Sequence, residues 1–304
     1  MRQGTFGRHR RAIAGATATA LAAAVAVASL GSAGAAPTAA SAKKKAGVGL
    51  QVTSKTFRLS QPDNSVRYET ICPKGKFPYG GGIKSDPAPA NGEGVYPNSF
   101  ERLGAQHGYH VNGTLVDVNG SSPAPRDVTI QAVCGSKPGK ITPPHETTFV
   151  DPGQTKSLTL NCKGDRTLLG GGFQRTTGRS RDGNLITEAR AISGKAWRVT
   201  SHGQGSFGGE LTGMAYCVKS KKPVLKELSA TVQIGNDQTA TATTPSCPKG
   251  RKGAFGGFET ASDGSVMYFG GYFTSSGAWA ASGYNSGPPT SLTAYVYCLR
   301  PFKK

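Results

Sequence analysis

Acidic residues are scarce in this sequence, and no catalytic motif is present. Seventeen Asp and Glu stand against 36 Lys and Arg, giving a formal net charge of +19. The acids are dispersed singly, no G-x-S-x-G nucleophile elbow occurs, and the histidines lack metal-ligand spacing. We therefore predict a protein that is not an enzyme, with no catalytic residue, metal or cofactor. Paired carboxylates brought together by folding stay open as an alternative.

Helical periodicity is also missing, whereas glycine is abundant. The chain has 43 glycines, and no stretch after residue 36 repeats its apolar residues with a helical period. Asn-Gly and Asp-Gly pairs favour tight hairpin turns. They occur at 112–113, 119–120, 182–183 and 263–264. The sequence predicts an all-β protein.

The amino terminus has the three-part pattern of a secretory signal peptide. Four arginines precede an apolar segment, Ala12 to Leu30, and small residues follow to Ala36. Cleavage is expected near Ala36 or after Ala42, by the general secretory route in preference to the twin-arginine route. Removing residues 1–36 takes four positive charges and no acid, which lowers the formal charge to +15. We predict a secreted, extracellular protein without a membrane span after processing.

Six cysteines mark three copies of one pattern. The first cysteines of successive pairs are 90 and 85 residues apart, and the second cysteines are 83 and 81 residues apart. Eight to eleven residues after each first cysteine stands a glycine signature. It reads GGGI at 80–83, GGGF at 170–173 and FGGF at 255–258, so the third copy departs at Phe255. Each copy then has a strand centred on an aromatic residue and a closing strand that ends at its second cysteine.

Alternation in the closing strands places the second cysteines inward. In the first copy, Val128, Ile130, Ala132 and Cys134 share one apolar face. The opposite face of the third copy carries Tyr295 and Tyr297, which we expect to point outward. Identical modules favour bridges within each copy. The predicted disulfides are Cys72–Cys134, Cys162–Cys217 and Cys247–Cys298, each contributing about 4 kcal/mol before strain.

These observations divide the chain into five segments. Residues 1–36 are the signal peptide, and 37–48 form a basic flexible segment. Modules 1, 2 and 3 span 49–137, 138–222 and 223–304. We expect β-sandwich-like modules that pack as neighbours or around a pseudo-three-fold axis, because the joints between them are short.

The motif order is similar to that of small β modules in actinobacterial exported proteins. Cys-Pro-Lys-Gly, a glycine triplet, a central aromatic residue and a Tyr-Cys or Val-Cys ending carry this resemblance over nearly all of residues 49–300. It implies an extracellular location and β-sandwich-like modules. That family has no assigned activity, so the resemblance implies no site residues.

Two glycine motifs have structural interpretations. Gly203, Gly205 and Gly208 form G-x-G-x-x-G between two strand-like segments, where a dinucleotide site needs a strand and then a helix. We interpret them as a hairpin. The repeated glycine signature favours a bulge or a tight strand crossing over a phosphate cradle.

Basic clusters are the remaining functional signal. Candidate polyanion-binding residues are Arg175, Arg179, Arg181, Lys219, Lys221, Lys222, Lys249, Arg251 and Lys252. We predict a non-enzymatic extracellular or surface-associated protein that engages an anionic cell-wall polymer or acidic glycan, with Trp197 and Trp279 as core residues. The alternative is an exported hydrolase or inhibitor-like protein with a site built from loops. No specific nucleic-acid motif is present, and the sequence leaves the oligomeric state open.

Overall fold

The computed structural model describes residues 49–60, 66–86, 88–90, 92–103, 108–117, 124–175, 183–206, 208–220 and 224–300. The predicted signal peptide lies outside these residues. Within them every regular element is a β-strand. The strands are β1 Gln51–Leu59, β2 Val66–Ile71, β3 Phe77–Asp86, β4 Glu93–Leu103, β5 Gly108–Asp117, β6 Arg126–Gly135, β7 Ile141–Thr142, β8 His145–Val150, β9 Thr155–Asn161, β10 Arg166–Arg175, β11 Gly183–Ser193, β12 Ala196–Gln204, β13 Gly209–Lys219, β14 Leu225–Ile234, β15 Gln238–Thr243, β16 Lys252–Glu259, β17 Val266–Phe273, β18 Trp279–Asn285 and β19 Thr290–Leu299.

The three sets of strands pair in the same way. In module 1 one set of neighbours is β1-β6-β3 and the other is β2-β5-β4. In module 2 the corresponding sets are β8-β13-β10 and β9-β12-β11, and in module 3 they are β14-β19-β16 and β15-β18-β17. All pairs of these strands are antiparallel. Within each module the chain changes sets at every connection except the fourth, the hairpin between β4 and β5 and its counterparts. The all-β prediction is confirmed.

One disulfide fastens the two halves of each module. The bridges are Cys72–Cys134, Cys162–Cys217 and Cys247–Cys298, each with a Cα–Cα distance of 5.6 Å. In each case the first cysteine follows a strand of one half, and the second lies in the central strand of the other half. These are the pairs that the sequence predicts.

Neighbouring modules join edge to edge. At the first junction, strand β10 of module 2 pairs with β4 of module 1. At the second junction, strand β16 of module 3 pairs with β11 of module 2. The third junction lies between modules 3 and 1. Strand β17 of module 3 packs against β3 of module 1. Residues 45–304 accordingly form one compact unit. A three-fold rotation relating the modules stays a prediction.

The glycine signature explains how these edges come so close. The ladder shifts register just before or at each signature, between Pro78 and Gly80 in module 1, so the predicted bulge is confirmed. A Cβ on the middle glycine would overlap an aromatic ring of the same module: Tyr109 for Gly81, Trp197 for Gly171, Trp279 for Gly256. A Cβ on the third glycine would overlap a carbonyl oxygen of the adjoining module: Gly271 for Gly82, Phe100 for Gly172, Ala189 for Gly257. Only glycine permits both contacts.

Phe255 occupies the place where the other two copies have glycine. A Cβ added at Gly80 would overlap Phe255, and one added at Gly170 would lie 3.1 Å from its ring. The ring also stacks on Tyr297, with centroids 4.4 Å apart. The departure in the third copy therefore provides the side chain around which Gly80 and Gly170 pack.

At each junction, a side chain of one module forms a hydrogen bond with the backbone of the neighbouring module. The Tyr216 hydroxyl accepts from the backbone N–H of Arg102 at 2.7 Å, and the Tyr297 hydroxyl accepts from that of Ala191 at 2.8 Å. At the third junction, the Gln131 amide bonds both the N–H and the carbonyl of Phe273, at 2.7 and 3.0 Å.

The outward placement of Tyr295 and Tyr297 is wrong. Tyr295 is 8% exposed and Tyr297 is 1% exposed. Alternation correctly separates two faces of β19, but module 2 covers the face that a single module would leave in solvent. Trp197 and Trp279 are both buried, as predicted.

Two turn predictions are also wrong. Asn112 and Gly113 lie inside β5, where the ladder to β4 overrides the local turn preference. The G-x-G-x-x-G segment joins β12 to β13, which belong to different sets of strands, so it is a crossing connection and not a hairpin.

Candidate functional site

Three corresponding turns carry exposed or partly exposed cations. Each turn segment runs from the first cysteine of a module to the first residue of the strand that bears the glycine signature. One position recurs in all three, four residues before the first signature residue: Lys76, Arg166 and Arg251. The remaining cations of the turns are Lys74, Lys163, Lys249 and Lys252.

The joints that follow the second cysteines lie beside these turns. The backbone register pairs Phe77 with Gly135, Arg166 with Lys219, and Lys252 with Leu299. The joints add four cations: Lys137, Lys140, Lys219 and Arg300. We call the seven turn cations and these four the basic turn cluster.

The turns lie around a common point. Strands β3, β10 and β16 meet where Gly80 and Gly170 pack against Phe255. Each recurring cation stands four residues before the signature residue at that point, so its Cα lies at most about 14 Å away. Lys252 Nζ also donates to the Leu50 carbonyl of module 1, at 3.4 Å. The folded chain therefore gathers cations that the sequence spreads over more than two hundred residues.

Little negative charge offsets this cluster. Within the described turn and joint segments the single acid is Asp165, whose carboxylate lies 3.6 Å from Lys219 Nζ. Both side chains are well exposed, so this ion pair is weak. Burial and the nearby Arg300 both lower the pKa of Arg251, and the second cause is repulsion between like charges. The cluster can attract anions by charge.

Arg175 does not belong to this surface, which corrects the sequence prediction. Its guanidinium stacks 4.0 Å from the Tyr96 ring centroid. It donates to the Asn98 side chain and the Asn184 carbonyl, both at 2.7 Å. Burial lowers the pKa of Arg175. This arginine fixes the interior of the junction between modules 1 and 2 because its planar, weakly hydrated guanidinium stacks well on an aromatic ring.

The other candidates divide into two groups. Lys219, Lys249 and Lys252 are exposed, and Arg251 is partly exposed while donating to the Cys298 carbonyl at 3.3 Å. All four lie in the basic turn cluster. Arg179, Arg181, Lys221 and Lys222 lie outside the described residues.

Folding also assembles an ion cluster at the junction of modules 2 and 3. The buried Glu188 carboxylate accepts two bonds from Arg198, at 2.7 and 2.6 Å, and one from Thr200 at 2.7 Å. Arg190 Nε lies 2.8 Å from Glu188 and 3.1 Å from Glu259. Tyr295 donates to Glu259 at 2.6 Å. The paired carboxylates are thus held by arginines, which is a structural arrangement and leaves neither as a free general acid.

A second buried pair lies in module 1. His110 Nδ1 is 2.5 Å from Glu101 Oε1, and the histidine is buried. Its Nε2 has no hydrogen-bond partner among the described residues. His110 and Glu101 hold each other in place. Their hydrogen bonds among the described residues include no nucleophilic side chain.

Sequence reasoning missed these pairs and four cations of the first two turns, Lys74, Lys76, Lys163 and Arg166. Glu188 and Arg190 stand two residues apart, which is the spacing for one face of a strand. This spacing could have been noticed in the sequence. The partners, Arg198 on β12 and Glu259 on β16, come from different parts of the chain, so the sequence does not show that they meet. The four cations could have been found by aligning the three turns.

The described residues contain neither a metal site nor a membrane-spanning helix. They contain no group of three or more histidine, cysteine or acidic side chains placed to hold a metal ion. They also contain no helix long and apolar enough to cross a membrane.

Comparison with known proteins adds no relative. No protein-family model matches the chain, and no curated protein is significantly similar to it. The resemblance to actinobacterial β modules stays a prediction.

Proposed function

We propose that this chain is a secreted, non-enzymatic protein that binds an anionic polymer of the cell surface through the basic turn cluster. The observation that carries the proposal is the recurrence of a cation at matching positions of three modules, Lys76, Arg166 and Arg251, around one point. A polymer can contact several turns at once, whereas a small anion would contact only one. Linking such contacts raises overall affinity without requiring a deep pocket.

Export is part of this proposal. Three disulfides in the described chain are consistent with an extracellular protein, because such bonds persist in oxidising surroundings. The signal-like pattern of residues 1–36 supports secretion, and cleavage would leave a chain of formal charge +15. An anionic cell-wall polymer or an acidic glycan would then be within reach.

A hydrolase is the less favoured alternative. It would need an acid and a base free to transfer protons at the substrate. Glu188 and Glu259 are the clearest carboxylate pair, yet Arg190 contacts both, and Tyr295 also donates to Glu259. The matched cations therefore favour binding over catalysis.

Binding to immobilised alginate and to poly(glycerol phosphate) tests the proposal. We expect the processed protein to bind, with affinity that falls steeply as salt is added, because each neutralised charge releases a counterion. Replacing Lys76, Arg166 and Arg251 by glutamine removes one cation from each turn. This triple change should weaken binding at least tenfold.

The matched control replaces Lys43, Lys44 and Lys45 by glutamine. It removes the same net charge from the segment before the first module. If binding depended only on the net charge of the protein, the two triple variants would lose the same affinity. Equal losses, or no binding by the unchanged protein to either polymer, would contradict the proposal. Thermal unfolding of both variants confirms that folded protein is compared.

A further inference from the structure

The third junction, between modules 1 and 3, has an open cleft beside β3 and β17. Its walls include Lys84, Ser85, Thr241, Gly270, Tyr272 and Ser282. The cleft measures about 320 Å³ with its solvent-open mouth included. It lies at least eight residues along β3 from Lys76, or about 26 Å of extended strand, so it is separate from the basic turn cluster.

Gly270 lines the cleft at a position that differs between the three junctions. Gly270 directly follows the bulge in β17, as Ser99 follows the bulge in β4 and Glu188 that in β11. At the second junction the Glu188 carboxylate occupies this place and binds Arg198 and Thr200. At the first junction Ser99 accepts from the Asn112 N–H at 3.2 Å. At the third junction Gly270 has a φ of 107°, which favours glycine, and a Cβ there would overlap the Ile83 side chain. This junction therefore lacks the side-chain carboxylate or hydroxyl that the other two have at this position.

A buried hydroxyl lines this space without a partner. Ser85 is 4% exposed, and its Oγ makes no hydrogen bond with any described residue. Buried polar atoms are nearly always bonded, so such an atom needs an explanation. On the facing side, the hydroxyls of Thr241 and Ser282 bond each other at 2.8 Å and keep further donor and acceptor capacity. Three residues with hydroxyl groups therefore line the same cleft.

An aromatic ring and a cation complete the cleft. Lys84 is exposed, and its Nζ lies 5.6 Å from the Tyr272 ring centroid. The ring offers an apolar surface beside the hydroxyls, while the ammonium can form a charge-assisted bond with a carboxylate. Apolar walls with a few convergent polar groups are typical of small-ligand sites.

We infer that this cleft binds a single acidic sugar unit, a uronic acid. Its hydroxyls would bond Ser85 and the Thr241–Ser282 pair, its apolar ring face would lie against Tyr272, and its carboxylate would meet Lys84. A neutral sugar would lack the last interaction. This inference does not rest on polymer binding by the basic turn cluster, and the experiment below uses a monosaccharide so that the two can fail separately.

Isothermal titration of the processed protein with glucuronic acid, and with glucose as the neutral probe, tests the inference. We expect saturable binding of glucuronic acid and at least tenfold weaker binding of glucose. Ser85→Ala should weaken both sugars by about two- to tenfold, the effect of one hydrogen bond. The fold should tolerate this change because the lost hydroxyl has no partner.

Two lysine variants test the charge. Lys84→Gln should remove the preference for glucuronic acid over glucose. Lys55→Gln is the matched control, since Lys55 Nζ also lies over an aromatic ring, 4.9 Å from the Phe57 centroid, but outside the cleft. Lys55→Gln should change neither affinity. No saturable binding of glucuronic acid, equal binding of glucose, or an equal loss in both lysine variants would overturn the inference.

Discussion

The Tyr297 hydroxyl and the Ala191 backbone amide form a hydrogen bond of 2.8 Å across the junction of modules 2 and 3. Tyr297 stands directly before the second cysteine of its module, and Ala191 lies in an edge strand of the preceding module. The bond therefore satisfies a backbone group that an isolated module would leave to water. It also accounts for a tyrosine at a position that would otherwise be on the surface.

Tyr297→Phe should destabilise the whole compact unit. The change leaves the buried Ala191 N–H without its partner, which costs about 1–3 kcal/mol. Urea unfolding gives the measurement. Tyr272→Phe is the control, because Tyr272 is partly exposed, and it should shift the midpoint little. An unchanged midpoint for Tyr297→Phe would contradict the role of this bond.

Phe255→Ala should be among the most destabilising single changes. The ring is buried against Tyr297 and Trp197 and receives the backbones of Gly80 and Gly170. Removing it leaves a cavity, with an expected loss of about 3–5 kcal/mol. Phe149→Ala, at a side chain 48% exposed, should cost far less. Similar losses for the two variants would mean that Phe255 is not central to packing.

Removal of one disulfide should cost more than most point changes. Replacing Cys162 and Cys217 together by alanine opens a covalent loop that spans 55 residues. The expected loss is about 2–5 kcal/mol. Chemical unfolding measures the loss, and peptide mapping without reductant checks the remaining bridges. A bridge between different modules in the mapped protein would contradict the described pairing.

Alkaline pH should unfold the protein through its buried tyrosines. Burial raises the pKa of Tyr96, Tyr109, Tyr268 and Tyr297 above the ordinary value of 10.0. Their contribution to stability is therefore complete below pH 10.0 and is lost as the pH rises from there through the higher folded-state values.

The measurement is the free energy of unfolding as a function of pH, with tyrosinate absorbance recorded in parallel. Stability should fall as the pH rises above 10.0, and absorbance should rise together with unfolding. Tyr297→Phe should show a shallower alkaline decline because one titrating group is gone. Full tyrosinate formation in a protein that stays folded would contradict the prediction.

The features that recur within each module could be predicted from the sequence. Cys162 and Cys217 lie in segments with clear alternation, and their spacing repeats in the other copies. The bulge at Gly170 and the buried Trp197 follow from the same comparison. These features depend on contacts within one module, and those contacts leave a local pattern.

Contacts between modules could not be predicted in the same way. Tyr297 alternates onto the face opposite to Cys298, and a single module would expose that face. Arg175 stands in a basic stretch, yet its guanidinium packs on Tyr96 from another module. Ser85 and Gly270 are unremarkable in the sequence and gain meaning only where β3 meets β17. Alternation of apolar and polar residues identifies the two faces of a strand, but it does not show which face a neighbouring module covers.

The Gln131–Phe273 contact sets an order of assembly. These residues are 142 positions apart, and they join the first module to the last. A chain emerging amino terminus first can form the bridge Cys72–Cys134 early, but the bonds of Gln131 must wait until β17 has emerged. Until then β17 does not cover the edge of β3, which could pair with another chain. The last junction to form thus protects the first module from misassembly, and a protein truncated before β17 should be prone to aggregate for that reason.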